Sequence, residues 1–70
     1  MPKFNVGDVV RTAKMGEDEY FKIRGVYEDC YDAAFCNAEG VEDDPGGSID
    51  IWFDIDDDDY YTEKDFEKVK

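Results

Sequence analysis

Carboxylates and one tryptophan give this chain its most distinctive chemistry, and they lie close together in the segment IDIWFDIDDDDY, residues 49–60. The acidic and aromatic residues of that segment are Asp50, Trp52, Asp54, Asp56, Asp57, Asp58, Asp59 and Tyr60. Closely spaced carboxylates can bind hard metal cations or perform acid–base chemistry. They can also present the negative charge that a basic protein surface recognises.

The first part of this segment, residues 49–55, alternates apolar residues with Asp or Trp, which predicts a β-strand with one buried face. Asp50, Trp52 and Asp54 then share the outer face, where alternate residues are about 6.6–6.8 Å apart. Trp is among the residues enriched in binding hot spots. We therefore predict a partner-binding surface that begins here and continues through residues 56–60. The alternative is a solvated outer face with Trp52 lying over a neighbouring strand or loop.

The charge is concentrated in the middle of the chain. The net charge is −12, and residues 25–63 contain fourteen acids and no Lys or Arg. Binding to DNA or RNA needs bases that displace counterions from phosphates, so we expect no direct nucleic-acid binding. A basic protein surface is the natural complement. Acidity that serves solubility alone remains the alternative.

Neither metal chemistry nor catalysis is indicated. Asp54, Asp56 and Asp58 have the alternate spacing of a calcium-binding EF-hand loop, with Asp65 at the twelfth position. However, the glycine required at the sixth position is Asp59, and the flanking segments read as strands. The chain has no His, no carboxylate pair is marked for acid–base work, and a chain of 70 residues offers little room for an enclosed pocket. We predict no enzyme activity, no cofactor and no specific metal site.

The two cysteines fit a reducing compartment. Cys30 and Cys36 lie in one apparent strand, which would place their Cα atoms about 20 Å apart, beyond disulfide reach. There is no signal peptide and no apolar run of membrane length. We therefore expect two thiols and a cytoplasmic protein.

The remaining patterns predict a single all-β domain over residues 1–70. The strands are expected near residues 8–13, 20–28, 30–38, 49–55 and 67–69, with a short 3₁₀ turn near Thr62. We expect a tight turn at Gly7, a bulge at Gly25 and a long loop over residues 39–48. Five short strands must close on themselves to protect their edges, so the expected architecture is a small barrel.

Both ends of the chain resemble a known family. The opening FNVGDVVRT, the later IWFD and the closing YYTEKDFEKV are similar to SH3-like small barrels of the Tudor/KOW type, including short bacterial and phage proteins. The residues that match the two motifs are Phe4, Gly7, Asp8, Val10, Tyr61, Thr62, Glu63, Asp65, Phe66, Glu67 and Val69. The resemblance implies a five-stranded SH3-like barrel with a 3₁₀ turn before the last strand. It says little about function, because such barrels bind many unrelated ligands.

Two functions follow as expectations. The first is an acidic interaction protein that blocks a nucleic-acid-binding surface of another protein, of the DNA-mimic or phage-inhibitor type, acting in the host cytoplasm if phage-encoded. The second is an SH3-like peptide-binding or accessory module whose acidity is incidental. The resemblance also suggests an aromatic cage for a methylated cation. Its candidate members are Tyr20, Tyr27, Tyr31, Trp52, Tyr60 and Tyr61.

Overall fold

The fold is all-β. A computed structural model describes residues 3–42, 47–55, 57 and 59–69. These residues form strands β1 (Val9–Thr12), β2 (Glu19–Val26), β3 (Cys30–Cys36), β4 (Ser48–Trp52) and β5 (Glu67–Lys68), with a 3₁₀ turn at Glu63–Asp65. The predicted class, strand number and turn before the last strand are confirmed. No helix in these described ranges is long and apolar enough to cross a membrane.

The five strands form one antiparallel sheet in the order β4-β3-β2-β1-β5. β4 and β5 are therefore its two edges. Beyond the end of β4, one parallel bridge joins Trp52 to Thr62, and the Trp52 N–H donates to the Tyr61 carbonyl at 2.9 Å. Among the described residues no ladder pairs β4 with β5, so this sheet is open by strand pairing.

β2 bends at a β-bulge, as the sequence predicted. Ile23 pairs with Ala33 and Gly25 pairs with Asp32, which leaves Arg24 as the extra residue. A bulge of this kind sharpens the local twist and bends the strand. Gly25 also lies under the ring of Tyr27. A Cβ added at Gly25 would lie 3.1 Å from the Tyr27 hydroxyl oxygen.

β4 is shorter than the sequence predicted. The prediction that the strand runs to residue 55 is wrong, because it ends at Trp52 and the chain bends at Phe53 and Asp54. The Phe53 N–H donates to the Asp29 carbonyl at 3.1 Å, which ties this bend to the β2–β3 turn. Phe53 still packs against the core, so the alternation of buried and outward residues continues beyond the last residue of the strand.

Aromatic rings dominate the core, as a chain this short requires. Phe21 is at its centre, with its ring centroid 4.6 Å from that of Phe35 and 5.7 Å from that of Phe66. The buried cluster comprises Phe4, Val10, Phe21, Ile23, Tyr31, Ala33, Ile51 and Phe66. Each large apolar side chain contributes about 1.5–3 kcal/mol on burial. Every strand except the two-residue β5 supplies at least one member of this cluster.

The opposite, outer face of the sheet is covered at one end. Val9 faces away from Val10 and the core, yet it is only 4% exposed. The turn from Asn37 to Gly40 covers it, and a Cβ at Gly40 would lie 2.8 Å from Val9 Cγ2. With a φ of +88°, this position favours glycine on both counts. This turn follows Cys36 and covers the outer face at that end of β3. The outer face near Cys30, at the other end of β3, is lined by the acidic residues described in the next subsection.

One buried hydroxyl joins three separate parts of the chain. Tyr31 on β3 is fully buried, and its Oη accepts hydrogen bonds from the N–H groups of Lys3 at 2.7 Å and Phe4 at 3.0 Å. The same hydroxyl donates to Glu63 Oε2 at 2.5 Å. Burial raises the pKa of Tyr31, so the hydroxyl stays protonated at neutral pH. The N-terminal segment, β3 and the 3₁₀ turn are thus held at one point.

Tyr31→Phe is expected to lower the free energy of unfolding by about 1–3 kcal/mol. The ring stays, but the Phe4 N–H loses its acceptor inside the protein, and an unmet buried donor is costly. Urea unfolding followed by circular dichroism measures the change.

Tyr60→Phe is the matched control, because it removes a hydroxyl from a ring that is 49% exposed and should change stability by less than about 0.5 kcal/mol. Equal stability of the two variants would contradict the role assigned to the Tyr31 hydroxyl.

Candidate partner-binding surface

Four bases of the described residues, Arg11, Lys14, Arg24 and Lys68, form ion pairs with acids. Arg11 Nη1 and Nη2 lie 2.6 Å from Asp18 Oδ1 and 2.5 Å from Glu67 Oε1. Lys14 Nζ lies 3.1 Å from Asp65 Oδ2. Two looser pairs join Arg24 to Asp32 at 3.7 Å and Lys68 to Asp8 at 3.6 Å. Of the four bases in these pairs, only Arg24 has its partner in the acidic middle of the chain, residues 25–63.

On the outer face, acids of β3 and β4 stand directly opposite one another. Asp32 pairs with Asp50, and Cys30 pairs with Trp52 one step further along. Like charges directly opposite across a sheet are destabilising. Arg24 offsets part of this repulsion from its side of Asp32, but no Lys or Arg nitrogen of the described residues lies within 4.0 Å of the Asp50 carboxylate. Asp50 is exposed, so water screens the remaining charge.

Trp52 lies at the side of a shallow cleft and outside the buried core. The cleft has a volume of about 350 Å³, and it is lined by Glu28, Asp29, Trp52, Phe53, Asp54 and Ile55. Trp52 is half-buried and Asp54 is exposed. The hydrogen bond from Phe53 to Asp29 holds the two sides of the cleft together. A half-covered indole among carboxylates offers an apolar anchor inside a negative field.

Cys30 reports the electrostatics of this region. The cysteines are two thiols, Cys30 half-buried and Cys36 buried, at opposite ends of β3. Burial raises the pKa of the Cys30 thiol, as do a hydrogen bond with Asp29 and the charges of Asp29, Asp50 and Asp32. A thiol held protonated is a poor nucleophile, so Cys30 is unsuited to catalysis.

We call this set the acidic face: Glu28, Asp29, Asp32, Asp50, Trp52 and Asp54. The structure brings together Asp50, Trp52 and Asp54 of the predicted surface. Sequence reasoning missed Glu28, Asp29 and Asp32, which come from the β2–β3 turn and from β3. The alternation of Cys30 and Asp32 on β3 was visible, but only the strand register places them opposite Trp52 and Asp50.

The rest of the predicted surface lies in a different environment. The Asp57 Oδ1 accepts the Asp59 N–H at 2.9 Å, and its carbonyl accepts the Tyr60 N–H at 3.2 Å. Lys14 Nζ donates to the Tyr60 carbonyl. Asp57 and Asp59 line two neighbouring clefts that both contain Lys14 and Met15. Asp56 and Asp58 lie outside the described residues. The predicted surface therefore divides into the acidic face and a loop beside a lysine.

The metal and cage hypotheses gain no geometric support. The part of the chain that is described contains no group of three or more Cys, Asp or Glu side chains arranged to hold a metal ion. Tyr31 is fully buried in the core. Tyr61 packs its ring against Phe21 and Phe66 with centroids 5.9 Å and 5.7 Å away. Tyr31 therefore cannot line an open cage, whereas Tyr61 packs against the core and also lines a cleft beside Lys14.

Comparison with known proteins adds no relative. No family model, curated protein or solved structure matches the chain. The chemistry of the site therefore rests on the residues and their geometry alone.

Asp65 anchors the segment that follows the aspartate run. Its Oδ2 accepts hydrogen bonds from the Thr62 hydroxyl at 2.7 Å and the Thr62 N–H at 3.2 Å, and it lies 3.1 Å from Lys14 Nζ. Burial by itself raises the pKa of Asp65, but these hydrogen bonds and the Lys14 charge outweigh it and hold the pKa below its ordinary value of 3.8. The ionised carboxylate therefore stabilises the folded state.

Asp65→Asn is expected to lower the free energy of unfolding by about 1 kcal/mol near neutral pH. Because the pKa of Asp65 is depressed by folding, its contribution is fully present above 3.8 and is lost as the pH falls through the lower folded value. The deficit of the variant should accordingly shrink in strong acid. Urea unfolding near neutral pH and well below pH 3.8 measures both values.

Asp59→Asn removes the same charge from an exposed position and serves as the control, with a change of less than about 0.5 kcal/mol. A deficit in Asp65→Asn that is the same at both pH values would contradict the assigned role of the ionised carboxylate.

Proposed function

We propose that this protein is a non-enzymatic interaction protein that uses its acidic face to bind and block a basic surface of another protein. The single observation that carries the proposal is the acidic face itself, where three carboxylates line a cleft with the half-buried Trp52 and the paired Asp32 and Asp50 lie next to it. A cationic partner would relieve the like-charge repulsion between Asp32 and Asp50 that folding leaves in place. Binding would then be favoured both by the attraction between opposite charges and by the reduced repulsion between Asp32 and Asp50.

The basic surface that we propose as the target is one that binds nucleic acid. Such surfaces present Lys and Arg to accept a row of phosphates. Five carboxylates on an ordered sheet and its adjoining turn offer a comparable density of negative charge, without the bases that would bind the nucleic acid itself. This makes the protein a DNA mimic in its mode of binding, as in the inhibitors that phages direct against host proteins. Trp52 would add the apolar contact that phosphates lack.

We further propose that the sheet belongs to the SH3-like barrels. The support is the combination of five short antiparallel strands, a bulge that bends β2 and a 3₁₀ turn before the last strand. The Trp52–Thr62 bridge brings the end of β4 to the start of that turn. Closure of the barrel would then occur through this bridge and the Tyr31 hydroxyl, in place of a continuous ladder.

A peptide-binding module is the second candidate function, and one observation favours it. Lys14, Met15, Tyr60 and Tyr61 line a cleft of about 190 Å³ together with Asp59. Met15 is 67% exposed and Tyr60 is 49% exposed, so apolar surface is available there. In that case the partner would bind at this cleft and the acidic face would serve solubility.

Two triple variants with the same net charge test the proposal. The face variant carries Asp32→Asn, Asp50→Asn and Asp54→Asn, and the control variant carries Glu17→Gln, Glu39→Gln and Glu42→Gln. Each raises the net charge from −12 to −9, by three neutralised acids. Bacterial nucleic-acid-binding proteins are loaded on a double-stranded DNA resin, and each purified variant is used to elute them.

The unmodified protein and the control variant should release the same polypeptide at low salt, and the face variant should need a concentration about tenfold higher or more. Release should weaken at high salt, because the attraction is Coulombic. Equal release by the two triple variants would mean that total charge alone acts, and this would overturn the proposal. Loss of release in both the Met15→Ser and Tyr60→Ser variants, with the face variant unaffected, would favour the peptide-binding module.

A further inference from the structure

The free side of β4 is an edge of the sheet next to the acidic face. Its neighbour on one side is β3, and on the other side the described residues supply no strand before Trp52. An unpaired edge presents a row of backbone N–H and C=O groups that can pair with another chain. Asp50 lies in the middle of this edge, on an exposed stretch of β4.

The hydrogen bonds at the ends of β4 establish which groups point off the edge. The Gly47 carbonyl accepts the Phe35 N–H at 3.0 Å, and the Phe53 N–H donates to Asp29 at 3.1 Å, so both point toward β3. The Trp52 N–H points the other way, to Tyr61. Because the backbone groups of a strand alternate in direction, the N–H and C=O of Asp50 point off the edge with those of Trp52.

We propose that an extended, cationic segment of a partner protein binds here by adding a strand to the free edge of β4. The inference rests on the proposed function, because it takes the acidic face as the binding surface and names how the partner engages it. Backbone hydrogen bonds to Asp50 would give affinity and register, and alternate side chains would give specificity. Lys or Arg at alternate positions of the partner segment would then lie on the outer face of the sheet, beside Asp50 and Trp52.

Charge selects this occupant over a second copy of the chain. Pairing two β4 edges would bring together two copies that each carry a net charge of −12, with Asp50 on both strands. An acid on an edge strand is a common means of preventing such self-association. A cationic strand meets the same edge with attraction in place of repulsion.

Amide hydrogen exchange followed by NMR tests the inference on the full-length protein. The probe is a short peptide of alternating Lys and Val, and its comparison is the same peptide with every backbone nitrogen methylated. Both have the same charge, but the methylated peptide has no backbone amide N–H groups, and its methyl groups block the close approach of backbones that a strand ladder needs. At saturating probe, exchange of the Asp50 amide should slow by about tenfold or more, because that amide would be hydrogen-bonded. The Ile51 amide, which points toward β3, should change little.

The methylated peptide should bind more weakly and leave the Asp50 amide unprotected. If both peptides bind equally and neither protects Asp50, strand addition is overturned while the acidic face stands as a binding surface. If neither peptide binds and the face variant still elutes DNA-bound proteins, both proposals fail. Protection of Asp50 without peptide would mean that the edge is already covered, by this chain if it is independent of protein concentration and by a second copy if it is not. Either result overturns the inference.

Discussion

The hydroxyl of Tyr31 is the contact that makes one domain out of an open sheet. It accepts two backbone N–H groups from the N-terminal segment and donates to Glu63 in the 3₁₀ turn, so a single buried oxygen meets its full hydrogen-bonding capacity. Beside this junction, the Phe4 ring packs against Tyr31 with a centroid distance of 5.5 Å, and the Phe66 ring packs against Phe21 at 5.7 Å. With only two residues in β5, strand pairing alone would hold the C-terminal segment weakly.

This junction also determines where charge can be neutralised. It brings residues 3–4 and residues 63–66 to the same side of the molecule, where Lys3 Nζ donates to the Phe66 carbonyl and Lys14 Nζ pairs with Asp65. Of the bases that the structure describes, only Arg24, the extra residue of the bulge, forms an ion pair in the Cys30 half of β3 or in β4, with Asp32. Negative charge is therefore left on the acidic face by the topology, and the domain tolerates it because that face is solvated and screened.

Local patterns in the sequence were enough to predict the strands other than the end of β4, the Gly7 turn, the bulge at Gly25 and the 3₁₀ turn after Thr62, because each depends on residues close together in the chain. The site was predicted only in part. Asp50, Trp52 and Asp54 follow from the alternation of one strand, but Asp32 and Asp29 join them through the register between β3 and β4 and the bend at Phe53, which are long-range properties. In the sequence, the acidic residues after Ile55 directly follow the acidic face. In the structure, Lys14 from the β1–β2 connection lies beside Asp57, Asp59 and Tyr60, so these residues have a different environment.

The charge of the acidic face can be measured at Cys30, whose thiol lies among Asp29, Asp32 and Asp50. The experiment compares the rates at which a cationic and an anionic thiosulfonate reagent modify Cys30. Each rate is divided by the rate of the same reagent with a small free thiol, and mass spectrometry locates the modified cysteine. Surface potentials of several kT predict that the cationic reagent reacts about tenfold faster or more at low salt. The difference should nearly disappear at high salt, shrink in the face variant, which keeps Asp29, and persist in the control variant. Equal corrected rates at low salt would mean that no concentrated negative field exists at this surface, and the acidic face could not then act as the binding site described here.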